Sequence, residues 1–175
     1  MRASKFVSAM LLTVAIAYAL VMLVLLFRPY MLLYAGHFDA PRRFSLVPFA
    51  TISAYMKVSS SYMRGVALMN LVGNVVVFIP LGLLLQVFSN GKHAWRHLLL
   101  ALFVPIGVEL LQVLLIVGAC DIDDVLLNFV GITVGILLFR GCLLACKQNI
   151  NRARVAALVL LALLGGGLVW WQMFA

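Results

Sequence analysis

The sequence predicts an all-α, polytopic membrane protein in which about five transmembrane helices pack as one bundle. Of its 175 residues, 66% are hydrophobic and only 10% are charged. The mean hydropathy is +1.17, whereas about 25% of the residues of a soluble domain are charged. A water-soluble globule is excluded because its surface could not be covered with polar groups. Disorder is also excluded, since it requires low hydrophobicity and high net charge.

Five stretches are apolar enough to cross the hydrocarbon layer, which takes about 20 residues of helix. They cover residues 6–27, 66–88, 98–117, 124–146 and 155–173. The first stretch contains Ala17-Tyr18-Ala19, which mimics a signal-peptide cleavage site, but its apolar run continues through Phe27 and is too long for a secretory core. We therefore expect a retained first helix and a single transmembrane domain over residues 1–175.

The net charge of +8 predicts the orientation of the helices and not a nucleic-acid partner. The basic residues lie in short loops, without a basic helix face or an RNA-binding motif. With five spans, eight of them fall on the side of the N-terminus and five on the other side, all in the 28–65 loop. The positive-inside rule then predicts an N-terminus inside and a C-terminus outside.

Four of the five acidic residues lie within 16 residues of sequence, which is the strongest chemical signal in the chain. We call them the acidic cluster: Glu109, Asp121, Asp123 and Asp124. An ionisable residue inside a span, such as Glu109, normally faces a bundle interior or a wet cavity and marks function. Gln112 is one turn further along the same span, and Asn70 and Asn74 share a face of the second span.

The fourth predicted span begins within the acidic cluster. At about 100° per residue, Asp121, Asp124 and Asn128 share one face of this helix, and Gly131 and Gly135 continue it. A glycine pair at this spacing lets a neighbouring helix approach closely. Asp123 points away from that face, so we expect it to act only as a helix cap, which the helix dipole favours.

The cysteine and histidine residues give little support for catalysis. Cys120 lies beside the acidic cluster but lacks the basic neighbour that would activate a thiol. His37 falls in the outer loop. His93 and His97 alternate with basic residues on the inner side, so we expect them in a solvated or interfacial turn.

Four short motifs, taken in order, resemble the VanZ-like family of bacterial membrane proteins. They are Ser45-Leu46-Val47-Pro48-Phe49 followed by Thr51-Ile52, the stretch from Asn70 to Gly82, Glu109-Leu110-Leu111-Gln112, and Asp121-Ile122-Asp123-Asp124 continued by Asn128, Gly131 and Gly135. The resemblance covers residues 44–140 as a VanZ-like core, with residues 1–27 and 155–175 as flanking helices. It implies a protein of the bacterial cytoplasmic membrane that is associated with tolerance of the glycopeptide teicoplanin, and it supplies no reaction.

The first functional hypothesis is a non-enzymatic binding protein that modulates how envelope-active molecules meet their lipid-linked targets. The expected partners are membrane lipid and a lipid-linked envelope precursor or a glycopeptide, and a homo-oligomer is left open. The predicted ligand-binding residues are Asn70, Asn74, Glu109, Gln112, Asp121, Asp124, Asn128, Arg42 and Arg43.

Two alternatives stay open at the level of sequence. One is an enzyme acting on a lipid-linked sugar or phosphate, with a divalent cation as its candidate cofactor, because the oxygen ligands of Glu109, Asp121 and Asp124 suit Mg²⁺ or Ca²⁺. In that case Arg42 and Arg43 would hold phosphate. The other is a small transporter that uses Glu109 as a proton site.

Overall fold

The computed structural model describes residues 2–34, 44–57, 59–114 and 120–174. The helices in this part of the chain are α1 (Arg2–Tyr34), α2 (Ala50–Met56), α3 (Ser61–Phe88), α4 (Ala94–Leu114), α5 (Ile122–Ala145) and α6 (Ile150–Phe174). Two strands of two residues each complete the elements, β1 (Phe44–Ser45) and β2 (Cys120–Asp121).

Five of these helices are long and apolar enough to cross a membrane, which confirms the predicted all-α class and the number of spans. Their spanning parts are Phe6–Leu25, Ser61–Phe88, Ala94–Leu114, Ile122–Ala145 and Ile150–Gly167. Several helices extend beyond the apolar stretches. For example, α3 begins five residues before the predicted stretch, where the Ser60 side chain caps it by accepting a hydrogen bond from the Met63 amide. Capping and backbone hydrogen bonds depend on local polar groups, so a helix does not end where its apolar run ends.

The helices α3 and α5 form the centre of the bundle and pack with their backbones close together. A Cβ atom at Gly131 would collide with the backbone oxygen of Val75, and one at Gly135 would collide with that of Ile79. A Cβ atom at Gly82 on α3 would likewise collide with the backbone oxygen of Ile132 on α5. The predicted close approach at the glycine pair is therefore confirmed.

Apolar side chains fill the spaces around this central pair. Buried residues Leu11, Leu83, Phe139 and Ala157 join α1, α3, α5 and α6. A second group includes Phe78 of α3, Ala101 of α4 and Ile132 of α5. Since lipid tails are as apolar as these side chains, the close packing itself holds the helices together.

The two short strands position the segment that precedes α3. β1 pairs with β2 in parallel, with Phe44 opposite Cys120 and Ser45 opposite Asp121. This pairing places residues 44–57, which include α2 and which we call the 44–57 segment, at the N-terminal end of α5. The hydrophobic pattern predicted only a loop here, because a two-residue pairing across 76 positions leaves no periodicity in the sequence.

Candidate functional site

Three of the four residues of the acidic cluster lie where α5 begins. Asp121 has extended backbone geometry and is the N-cap of α5, and its Oδ1 atom accepts a hydrogen bond from the Asp123 amide at 2.9 Å. Asp123 and Asp124 lie in the first turn, where the positive end of the helix dipole stabilises carboxylates. The local sequence thus explains why acids start this helix, and Asp121 is the residue that caps it.

Asp123 contacts a different helix from the one that its sequence position predicts. Its side chain is 0% exposed. One carboxylate oxygen accepts a hydrogen bond from the Phe49 amide, and the other accepts from the Ile52 amide at 3.0 Å. These amides belong to the N-terminal end of α2, which has no capping side chain of its own. Asp123 therefore caps α2, because burying a carboxylate requires hydrogen-bond donors and free helix amides supply them.

A second acid holds the same segment in place. The Thr51 hydroxyl donates a hydrogen bond to Oδ2 of Asp121. Together with Asp123, this contact fastens the 44–57 segment to the start of α5. Sequence reasoning missed Thr51 and the role of Asp123, and the signal that could have found Thr51 was its place in the motif beginning at Ser45.

Glu109, the fourth residue of the acidic cluster, lies on α4. Its side chain is 3% exposed, and its Oε2 atom accepts a hydrogen bond from the Asp121 amide at 3.0 Å. Asp121 and Asp124 are close enough to act on its charge. Gln112, one turn further along α4, is also buried. The structure thus brings the acid predicted inside a span next to the acids at the start of α5.

The two asparagines of α3 contact different partners, although they share a face of the helix. The Asn74 amide donates a hydrogen bond to Oδ1 of Asp124, so Asn74 joins the cluster. The Asn70 amide donates to the Tyr55 hydroxyl at 3.1 Å and is exposed. Asn70 therefore contacts α2 and reaches the cluster only through the 44–57 segment.

Asn128 lies one turn beyond Asp124 on α5 and is 2% exposed. In the described part of the chain its Oδ1 atom is buried and has no hydrogen-bond partner. A buried acceptor without a donor is uncommon and calls for an explanation such as a bound group. The predicted site residues Arg42 and Arg43, like His37, lie outside the described residues.

The electrostatics of the cluster also act on Cys120 of β2. Burial raises the pKa of this thiol, and the charges of Glu109 and Asp121 raise it further. A raised pKa lowers the thiolate fraction at neutral pH, and the thiolate is the nucleophile. The expectation that Cys120 is not an activated thiol agrees with this direction.

The arrangement does not suit a metal ion held jointly by the three candidate acids. Within residues 2–34, 44–57, 59–114 and 120–174, no group of three His, Cys, Asp or Glu side chains could hold a metal ion. Both oxygens of Asp121 accept hydrogen bonds that hold the 44–57 segment and the start of α5, from Thr51 and from the Asp123 amide, so a metal ion would compete with these contacts. A divalent cation bound by Glu109, Asp121 and Asp124 together does not fit this geometry.

At the other end of the bundle, the expectation for His97 is wrong. His93 is exposed, as a solvated turn requires, but His97 is only 8% exposed. Its Nδ1 atom lies 2.8 Å from Nε2 of Gln86, which is 0% exposed. The helix α4 begins at Ala94 and turns His97 toward α3, so the basic neighbours that suggested solvent face elsewhere.

Comparison with known proteins identifies relatives of the chain. A model of the VanZ/LLP1 family matches residues 14–145, a range that includes the acidic cluster and the 44–57 segment. Protein VanZ of Enterococcus faecium is 35% identical over 69 residues, which cover 39% of this chain and 43% of that protein. The chain thus matches less than half the length of this curated relative. No solved structure shows a significant match.

Proposed function

Because the chain belongs to the VanZ/LLP1 family, we propose that this multi-pass membrane protein binds a positively charged group of an envelope-active or lipid-linked molecule. Glu109 and Asp124 of the acidic cluster, with Asn74 and Asn128, form the binding site. The protein acts without catalysis, by changing how such molecules meet their targets in the cell envelope.

One observation carries the proposal, namely the kind of donor that the acidic cluster uses. In the described residues these carboxylates accept hydrogen bonds from backbone amides, the Thr51 hydroxyl and the Asn74 amide. All of these donors are neutral, so they stabilise the carboxylates without cancelling their charge. A cationic group would add hydrogen bonds of the charge-assisted kind, which are roughly twice as strong as neutral ones.

The roles of the four acids divide within this proposal. Asp121 and Asp123 fasten the 44–57 segment and serve as scaffold. Glu109 lies inside a span, where a charged side chain costs up to roughly 2.5–3.5 kcal/mol on the insertion scale, and Asp124 lies in the first turn of α5. That cost favours a functional role for Glu109, and the unpartnered acceptor of Asn128 lies on the turn that follows Asp124.

The link to antibiotics comes from the resemblance to VanZ-like proteins and concerns glycopeptides of the teicoplanin type. In the proposed topology the N-terminus lies on the inner side of the cytoplasmic membrane and the acidic cluster lies on its outer side, which the eight-to-five distribution of basic residues supports. From that side the cluster would meet lipid-linked envelope precursors and the antibiotics that bind them.

The test uses Glu109→Gln and Asp124→Asn in cells that express the chain. Both substitutions remove charge and keep an acceptor oxygen. The glutamine can still accept from the Asp121 amide, and the asparagine at position 124 can still accept from Asn74. We expect normal abundance in the membrane and loss of the effect on teicoplanin susceptibility in both variants. Full activity of both at normal abundance would contradict the proposal. If only Glu109→Gln loses the effect on teicoplanin susceptibility, the transporter alternative is favoured, since Glu109 is the proton site in that alternative.

A further inference from the structure

An apolar groove runs along the outside of the bundle between α5 and α6. Its volume is about 460 Å³, and it extends from Val134 to Ala145 on α5, with Leu160 of α6 on its other side. Gly141 contributes to its floor, and a Cβ atom placed there would meet no other atom within 4 Å. The groove is therefore open space beside a helix and not a gap between tightly packed residues.

The length of the groove matches one leaflet of a bilayer. Val134 and Ala145 are 11 residues apart, which is about 16 Å of helix at about 1.5 Å per residue. The hydrocarbon core is about 30 Å thick, so one leaflet is about 15 Å deep. Since Ala145 is the last residue of α5, the groove runs from the end of the helix toward the middle of the membrane, as a lipid acyl chain does.

The chain around the membrane-surface end of this groove is strongly basic. Four basic residues lie between positions 140 and 154, and no acidic residue follows Asp124 in the sequence. Lys147 lies in the turn that follows α5, and Arg152 lies in the first turn of α6. Both are exposed. Basic pockets between spans bind anionic lipid headgroups, whereas a zwitterionic headgroup gains little from such a patch.

We propose that this groove is a binding site for an anionic phospholipid, with an acyl chain along Gly141 and the headgroup phosphate at Lys147 and Arg152. The site is separate from the acidic cluster, which lies at the opposite end of α5, and it does not depend on the proposed function. A lipid bound there would contact both α5 and α6 and hold the two helices in place within one leaflet.

The experiment offers purified protein equal amounts of phosphatidylglycerol and phosphatidylcholine with identical acyl chains. Native mass spectrometry then measures how much of each lipid the protein retains. We expect the wild type to retain clearly more phosphatidylglycerol than phosphatidylcholine. In the Lys147→Gln/Arg152→Gln variant this preference should decrease by about fivefold for each basic side chain removed. Gly141→Leu fills the groove and should lower retention of both lipids.

Two matched controls separate a built site from general surface charge. Lys92→Gln/Arg96→Gln removes the same charge from the α3–α4 turn and the first turn of α4. That turn packs near Leu143 of α5 at Gly91 and so lies at the same side of the bundle. Gly165→Leu adds the same bulk at another glycine with no atom within 4 Å. Both controls should retain the preference of the wild type.

Three outcomes would overturn the proposal. The first is equal retention of the two lipids by the wild type, and the second is an equal loss of preference in both charge variants. The third is a dimer mass in place of a lipid adduct, which would assign the groove to a second copy of the chain. If the Lys147→Gln/Arg152→Gln variant fails to fold, Gly141→Leu provides the test. Unchanged lipid retention by Gly141→Leu would then contradict the proposal.

Discussion

The carboxylate of Asp123, at the start of α5, accepts a hydrogen bond from the backbone amide of Phe49, 74 residues earlier in the chain. Its second oxygen accepts from the Ile52 amide. One acid of a membrane-spanning helix thus satisfies two N-terminal amides of the short helix α2. Since a buried carboxylate without donors would be costly, α2 and α5 stabilise each other at this contact.

Asp123→Asn should destabilise the protein, because an amide side chain has one acceptor oxygen for two backbone amides. One of the amides of Phe49 and Ile52 would then face an NH₂ group. We expect a loss of about 1.5–3 kcal/mol in the free energy of unfolding, the typical worth of a hydrogen bond to a charged group. Denaturant unfolding in detergent measures it. Asp124→Asn is the control, since its acceptor for Asn74 remains, and equal stability of the two variants would contradict the assigned role.

Gly131→Ala and Gly135→Ala should each separate α3 from α5, because the new Cβ atom would collide with a backbone oxygen of α3. Backbone cannot move aside as a flexible side chain can, so we expect a loss of about 1–3 kcal/mol, as for overpacked cores. Thermal unfolding of the purified protein measures the effect. Gly107→Ala is the control, since it has no neighbouring atom within 4 Å and should be neutral or stabilising by up to about 1 kcal/mol through helix propensity.

Cys120 reports both the proposed topology and the charge of the acidic cluster. With Cys142 and Cys146 replaced by alanine, a membrane-impermeant maleimide should label Cys120 in intact cells. Labelling should be slow at neutral pH and faster at alkaline pH, because the raised pKa keeps the thiol protonated. Labelling only after permeabilisation would reverse the proposed orientation.

Glu109→Gln is the matched variant for the labelling experiment. It removes a charge that raises the pKa of Cys120 and keeps an acceptor for the Asp121 amide. At a fixed pH we therefore expect a larger thiolate fraction and faster labelling than in the protein with Glu109. An unchanged labelling rate would show that the charge of Glu109 does not affect the pKa of Cys120.

His97→Leu should destabilise the end of the bundle opposite the acidic cluster. It leaves the buried Gln86 amide without the acceptor that it has at 2.8 Å, and a buried unsatisfied donor costs about 1–3 kcal/mol. Thermal unfolding measures the loss. His97→Asn should restore part of the stability because its Oδ1 atom can replace Nδ1 as acceptor. If His97→Leu is as stable as the wild type, the hydrogen bond between Gln86 and His97 does not contribute to stability.

The sequence by itself determined the membrane class, the number of spans and the presence of a close helix contact at Gly131 and Gly135. These follow from properties of one stretch at a time, since an apolar run of about 20 residues needs a bilayer and a glycine pair on one helix face leaves room for a neighbour. It also identified the acidic cluster, because the acids are close in sequence.

Only the tertiary structure decided what each polar residue does. The partners of Asp123 are more than 70 residues away, and Asn70 and Asn74 share a face of α3 but contact different helices. Helical periodicity tells which side chains share a face, but a hydrogen bond requires that two particular atoms meet within about 3 Å. That meeting depends on the path of the chain between them, which is why His97 is buried against Gln86 although its sequence neighbours are basic.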